Sequence, residues 1–319
     1  MNTQLLGVDF LQEIRDFKKK EIIMIWKTKI TELLKIEYPL VMGAFGGWGK
    51  SDFAYCFSES GGLGTIAALN FPKIEDFKSD LQKMKSLTTK PFAVNLSLPH
   101  HALDKSYEEE EIQKRHLAYI EAALSEECKI FTTSGYKASF IEKRVHDAGG
   151  IWIHKCTILN HALSSEREGA DAVTILGLEG TGFKNPISNT TLVNITVARK
   201  YVKIPIIAAG GVGDARGFLA SLAMGAEAVC LGTALMTTEE CPVPLKVKKK
   251  WIQTDIYTED FYKRIYHYNI KNFMAPSTAI AHCKEIIPMK NLIHSIINES
   301  EKILKSWGFT NNEFRTLGL

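Results

Sequence analysis

Two glycine turns follow short apolar runs in the second half of the chain. Gly210-Gly211 comes after Pro205–Ala209, and Gly232-Thr233 comes after Ala228–Leu231. Glycine has no Cβ, so such turns leave backbone N–H groups bare. Two of them side by side can surround one anion. The stretch Ile204–Thr238 therefore reads as a phosphate cradle. The ends of the other apolar runs offer Met42-Gly43-Ala44, Asn95, Thr133-Ser134-Gly135, His154-Lys155-Cys156-Thr157 and the loop Gly177–Phe183. This set is rich in glycine and poor in carboxylates, with one amide, one lysine and no metal-ligand cluster. It suits a flat, phosphorylated cofactor held through backbone groups, which would itself carry the reaction.

These residues need strands to position them. Tyr38–Met42, Leu63–Ala67, Pro91–Leu96, Cys128–Thr132, Ile151–Lys155, Ala170–Ile175, Pro205–Ala209 and Ala228–Leu231 read as eight strands. Helix-sized segments lie between them: Ser51–Ser60 with Ser51 as N-cap, Pro72–Leu87, His100–Glu127, Lys137–Ala148, Ile158–Glu168, Asn189–Tyr201 and Ala215–Met224. Phe77, Leu81 and Met84 mark the buried face of the second of these. The acidic run Glu108–Glu111 reads as a solvated first turn, where it suits the helix dipole. Regular βα alternation predicts a parallel sheet, and eight units predict an α/β fold, a closed (β/α)8 TIM barrel. In such a barrel, reacting groups sit at strand C-termini and a phosphate after strands seven and eight. After Thr238, helices are expected over Cys241–Trp251, Thr258–Asn269 and Lys290–Trp307, with a loop over Lys271–Ala281. Residues 24–319 are read as one barrel domain, with 238–290 as a helical lid before the last helix and 1–23 as an appendage.

The totals fit this. Of 319 residues, 45% are hydrophobic and 24% charged, as in an ordinary globular protein. A net charge of +3 gives no reason to expect nucleic acid as a partner. No run reaches the about 18 apolar residues of a membrane span, and the first residues lack a signal-peptide core. The six cysteines are dispersed without a C-x-x-C pair, as in reduced cytoplasmic proteins.

The blocks PLVMGAF, ESGGLGTIAA, PFAVNLSLP, TSGYKASFI, IHKCTILNHALSSEREGADAV, PIIAAGGVGDARGFLASLAMGAEAVCLGTAL and TEECP occur in this order between about Met24 and Trp251. Together they resemble the nitronate monooxygenase family, also called the 2-nitropropane dioxygenase family, which includes flavin-dependent enoyl-ACP reductases. The resemblance implies an FMN-binding TIM barrel. It implies backbone of Met42, Gly43 and Ala44 against the flavin ring, Asn95 at the ring edge and Lys155 near its pyrimidine side. Gly182 would border the cofactor, and Gly210, Gly211, Gly232 and Thr233 would hold the phosphate.

Two departures stand out. Phe183 occupies the place of the family's histidine, the proposed acid–base residue, so deprotonation of a neutral nitroalkane loses its usual base. His100 or His101 could replace it. Ala234 stands where many members carry arginine. His154 should point away from the site by strand alternation, and His282 reads as structural or solvent-facing. Phe45 and Phe183 are candidates for an apolar substrate pocket, while Trp48 and Phe273 could instead pack the lid. Glu179 either orients its loop or is solvated, and Cys156 reads as a packing residue.

The function expected is FMN-dependent oxidation of a small nitronate by molecular oxygen. One alternative is an NAD(P)H-dependent FMN enoyl (ACP or CoA) or quinone reductase. The other is a flavin-binding barrel with altered or lost catalysis. A homodimer is possible on this reading.

Overall fold

Eight parallel strands form the centre of the computed structural model, which describes residues 24–98, 109–135, 138–182, 187–266 and 276–316. In chain order they are β2 (Leu40–Met42), β3 (Gly64–Ala67), β4 (Phe92–Leu98), β5 (Ile130–Gly135), β6 (Ile151–Cys156), β7 (Ala172–Leu176), β8 (Ile206–Ala209) and β9 (Ala228–Leu231), after a short outlying β1 (Ile25–Lys27). The hydrogen-bonded order runs β2-β9-β8-β7-β6-β5-β4-β3. The remaining seam, between β2 and β3, is a single bridge at Val41 and Leu63. There the Met42 N–H donates to the Leu63 carbonyl, and the Leu63 N–H to that of Leu40, both at 2.9 Å. The expected TIM barrel is therefore present.

The intervening helices are α2 (Ser51–Glu59), α3 (Ile74–Leu87), α4 (Glu109–Ser125), α5 (Glu142–Asp147), α6 (Leu159–Arg167), α7 (Thr191–Ala198) and α8 (Ala215–Ala223). Phe77, Leu81 and Met84 are the buried residues of α3, as their spacing predicts. Glu110 and Glu111 are exposed in the first turn of α4. A preceding helix, α1 (Lys29–Leu34), plugs the lower end of the barrel: Ile30 and Leu34 pack with Val41, Ala93, Ile153, Ile207 and Ala228. Beyond the barrel come α9 (Leu245–Ile252), α10 (Glu259–Tyr266) and α11 (Met289–Ser306), with α11 packed on α8 and α2.

Several local expectations are corrected. The N-cap of α2 is Lys50, because Ser51 is drawn to Asp80 on α3 instead: the carboxylate accepts the Ser51 N–H at 2.9 Å and its hydroxyl at 2.7 Å. Strands β4 and β5 outrun their expected ends, since pairing continues to Leu98 and Gly135. Asn95 thus lies within a strand, and Thr133-Ser134-Gly135 is strand, not turn. The segment before α5 is a 3-10 turn, Ser139–Ile141, and α5 is shorter than expected. Helix α9 begins only after Pro244, its N-cap, because neither Pro242 nor Pro244 supplies a helical N–H. Part of the expected loop is a 3-10 helix, Thr278–His282. The pairing of β1 with a final β10 (Glu313–Arg315) was not anticipated. Residues 1–23 lie outside the described residues.

Candidate active site

A cavity of about 470 Å³ opens at the C-terminal ends of the barrel strands. Strand register explains which side chains reach it. Asn95, Thr132 and Ile153 are successive partners across β4, β5 and β6. Two residues further on, Ser97, Ser134, Lys155 and Thr174 form the next row, across β4 to β7. Side chains two apart on a strand share a face, and both rows line the cavity. The rows are tied together: the Asn95 amide donates to the Thr132 hydroxyl at 3.0 Å, the Ser97 hydroxyl donates to the Asn95 oxygen at 3.3 Å, and the Ser97 and Ser134 hydroxyls are 2.9 Å apart.

The cradle expected after β8 and β9 faces the same space. Gly210 and Gly211 both have positive φ, +106° and +78°. A Cβ on Gly210 would lie 3.0 Å from the Thr191 hydroxyl and 3.1 Å from the Gly180 nitrogen. The N–H groups of Gly211, Gly232 and Thr233 donate to no acceptor among the described residues. All three residues line the cavity, with Gly210. Unused amides gathered at one wall are suited to an anion. Ser277 and Ala279 complete this wall from the C-terminal part of the chain, where the Ser277 N–H donates to the Thr233 hydroxyl at 2.9 Å.

The loop after β7 is held by Glu179. Its carboxylate accepts the Thr191 N–H at 2.8 Å and the Thr191 hydroxyl at 2.9 Å, and its carbonyl accepts the Thr278 N–H at 3.2 Å. Of its two readings, orientation of the loop is the one realised. Thr181 and Gly182 line the cavity, and Gly182 has φ +93°. Phe183, His100, His101 and Phe273 lie outside the described residues.

Opposite the polar rows, Met42, Gly43, Ala44 and Phe45 line the cavity after β2. Asn70 shapes this turn, donating to the carbonyls of Phe45 at 2.9 Å and Gly49 at 3.2 Å and accepting the Gly47 N–H at 2.6 Å. Trp48 both lines the cavity and packs outward: its ring stacks on Phe45 at 5.6 Å and on Trp251 of α9 at 6.3 Å.

Lys155 and Cys230 are the titratable groups on the described wall. Burial lowers the Lys155 pKa, and burial pushes the Cys230 thiol up to about 11. Lys155 makes no hydrogen bond or ion pair among the described residues. His154 points the other way, as alternation requires. It is buried against the Thr133 hydroxyl at 2.7 Å, and desolvation pushes its pKa down to about 4. Cys156 is likewise buried off the cavity, its thiol pushed up to about 12 by desolvation. His282 pairs with Asp214 at 3.3 Å. Ala234 is fully buried among Phe261, Ile265, Ile280 and Cys283, an apolar setting in which an arginine would be an uncompensated charge. Sequence reasoning missed Ser97, Asn70, Cys230 and Ser277. Of these, only Ser97 and Cys230 had a signal, a spacing of two from Asn95 and Gly232.

Among the described residues, no group of His, Cys, Asp and Glu could hold a metal ion, and no helix is long and apolar enough to cross a membrane.

A sequence model of the nitronate monooxygenase family matches residues 27–271. A probable nitronate monooxygenase of Staphylococcus aureus (strain MSSA476) is 31% identical over 250 residues, 67% of this chain and 69% of that protein. The (3aS,4S,5R,7aS)-5-hydroxy-7a-methyl-1-oxo-octahydro-1H-indene-4-carboxyl-CoA dehydrogenase of Mycobacterium tuberculosis (strain ATCC 25618 / H37Rv) is 29% identical over 231 residues. That match takes in 72% of this chain but only 61% of the dehydrogenase. Among solved structures, FabK from Thermotoga maritima superposes with a TM-score of 0.74 at 26% identity, covering 89% of this chain and 99% of that one.

Proposed function

The chain belongs to the nitronate monooxygenase family, and on that premise we propose that it is an FMN-dependent oxidoreductase that oxidises a small nitronate with molecular oxygen. The observation that carries this reading is one cavity containing both a cluster of N–H groups and a lysine that have no partner among the described residues. FMN, when bound, supplies the electron chemistry. Gly211, Gly232 and Thr233 would hold its phosphate through their N–H groups, with Gly210 giving the turn its shape. Met42, Gly43 and Ala44 would lie along the ring, Asn95 at its edge and Gly182 beside it.

Lys155 would bind the substrate anion. Burial disfavours its charged form, so an anion entering the cavity restores that charge and is bound by it. A nitronate is such an anion, and it needs no base to start the reaction. Phe45 and Trp48 would enclose its apolar part.

The superposition with Thermotoga maritima FabK over nearly all of that chain favours one second reading, an NAD(P)H-dependent reductase of an enone, enoyl thioester or quinone. The two are separated by the absorbance spectrum of the purified protein followed by anaerobic reduction with NADH, NADPH and a nitronate in parallel. Bleaching by nitronate alone supports the first reading. Rapid bleaching by a nicotinamide without substrate supports the second. A protein that is colourless and takes up no FMN refutes both.

A further inference from the structure

Lys155 is the one amine on the described wall of the cavity, and no carboxylate or imidazole among the described residues shares that wall. Its neighbours in the row are hydroxyls: Ser134 on β5, Thr174 on β7 and, beyond Ser134, Ser97 on β4. Its nitrogen reaches up to the loop after β7, where a Cβ on Gly182 would stand 3.4 Å from Nζ. The amine thus faces the cavity without a partner among the described residues, with hydroxyl donors beside it. We propose that Lys155 is a general base that converts a neutral nitroalkane into its nitronate within this cavity.

In that step the C–H bond next to the nitro group breaks and an N–H bond forms on Nζ. The electron pair of the C–H bond becomes a C=N double bond, and the negative charge comes to rest on the nitro oxygens. The Ser134 and Thr174 hydroxyls are placed to hydrogen-bond those oxygens as the charge develops. The lysine becomes an ammonium paired with the anion it has made.

The electrostatics permit it. Desolvation lowers the Lys155 pKa, which increases the neutral fraction needed in a base. From β9, Cys230 is the titratable group facing it; β5 and β7 present only hydroxyls, and the described part of the loop presents Gly180, Thr181 and Gly182. The thiol, pushed up to about 11, carries no charge at neutral pH that would keep the proton on the amine.

The inference rests on the nitronate-oxidising reading, because the product of this step is the substrate of that reaction. The experiment uses the FMN-loaded full chain with freshly diluted 1-nitropropane, its α-deuterated form and propyl-1-nitronate. The wild type should oxidise the neutral compound with a primary isotope effect, and its kcat/KM should rise with pH through one ionisation below the usual lysine range. Lys155→Arg keeps a cation that cannot accept a proton. It should lower the ratio of nitroalkane to nitronate kcat/KM by about 100-fold or more. An unchanged ratio overturns the proposal. If the variant does not fold, the wild-type data decide: a pH-independent nitroalkane kcat/KM, or no isotope effect, also overturns it. Oxidation of nitronate without oxidation of nitroalkane sinks this inference alone, whereas oxidation of neither sinks the proposed function.

Discussion

The hydroxyl of Thr233 accepts the backbone N–H of Ser277 at 2.9 Å, although 44 residues separate the two. One end of the candidate phosphate cradle is thereby fastened to the segment that closes the site from the C-terminal side. Both residues are buried, and the Ser277 hydroxyl in turn accepts the Ala279 N–H at 3.3 Å.

Thr233→Val keeps the shape and removes the acceptor. A buried N–H left without a partner costs about 1–3 kcal/mol. The variant should unfold at lower denaturant concentration, and FMN affinity should fall by about tenfold. Urea unfolding without cofactor and a fluorescence titration with FMN measure the two effects separately. Unchanged FMN affinity would show that the bond from Ser277 to the Thr233 hydroxyl does not shape the cradle.

Gly210 and Gly232 should respond differently to alanine. At Gly210 the backbone has φ +106° and a Cβ would meet Thr191 and Gly180 at 3.0 and 3.1 Å, so Gly210→Ala should destabilise by about 1–3 kcal/mol. At Gly232 a Cβ meets nothing within 4 Å. Gly232→Ala should leave thermal stability nearly intact, while its methyl group crowds the bound phosphate. The proposal for this turn fails if Gly232→Ala binds FMN as well as the wild type does.

Glu179→Ala leaves the N–H of Thr191 without its acceptor, while the Thr191 hydroxyl keeps the Gly210 carbonyl at 2.9 Å, and it loosens the loop over Lys155. A loss of about 1–2 kcal/mol is expected, with a larger proportional loss of turnover than of stability. Glu179→Gln keeps one acceptor oxygen and should recover part of both. Calorimetry and steady-state kinetics on the pair distinguish a positioning role from mere solvation of the carboxylate.

His154 gives a pH dependence with a fixed sign. In the folded chain, desolvation, with His161 adding to it, holds its pKa at about 4, against 6.5 for an ordinary histidine. The unfolded chain therefore takes up a proton that the folded chain refuses. Its contribution is fully present above about pH 6.5 and is lost as pH falls towards 4, by an amount on the order of 3 kcal/mol. His154→Asn, which can still accept from Thr133, should flatten this part of the stability–pH curve. A curve of unchanged shape would show that another group governs it.

Strand number and strand ends could be read from the chain because each βα unit is local: an apolar run, a glycine turn, a helix. The same locality located Lys155, Asn95 and the two glycine turns on one wall. What could not be read depended on pairing. Ser97 belongs to the site because β4 stays paired with β5 to Leu98 and Gly135, and nothing in the β4 segment alone sets that length. Ser51 could not be read as a partner of Asp80 because its local sequence offers it a plausible cap. Ser277 and Asn70 reach the cavity through contacts with distant segments, and no spacing rule connects them to it.

The barrel is joined by seven ladders and one stitch, the bridge between Val41 and Leu63. A cylinder so built has a preferred line of parting. Breathing along that line would part the wall below Gly43 and Ala44 and leave the other ladders closed. Solvent exchange at the amides of Met42 and Leu63 should therefore outpace that in β4 to β6, and a bound ligand should slow it most. On this view, the passage of a ligand into the mouth and the first step of unfolding follow one and the same motion.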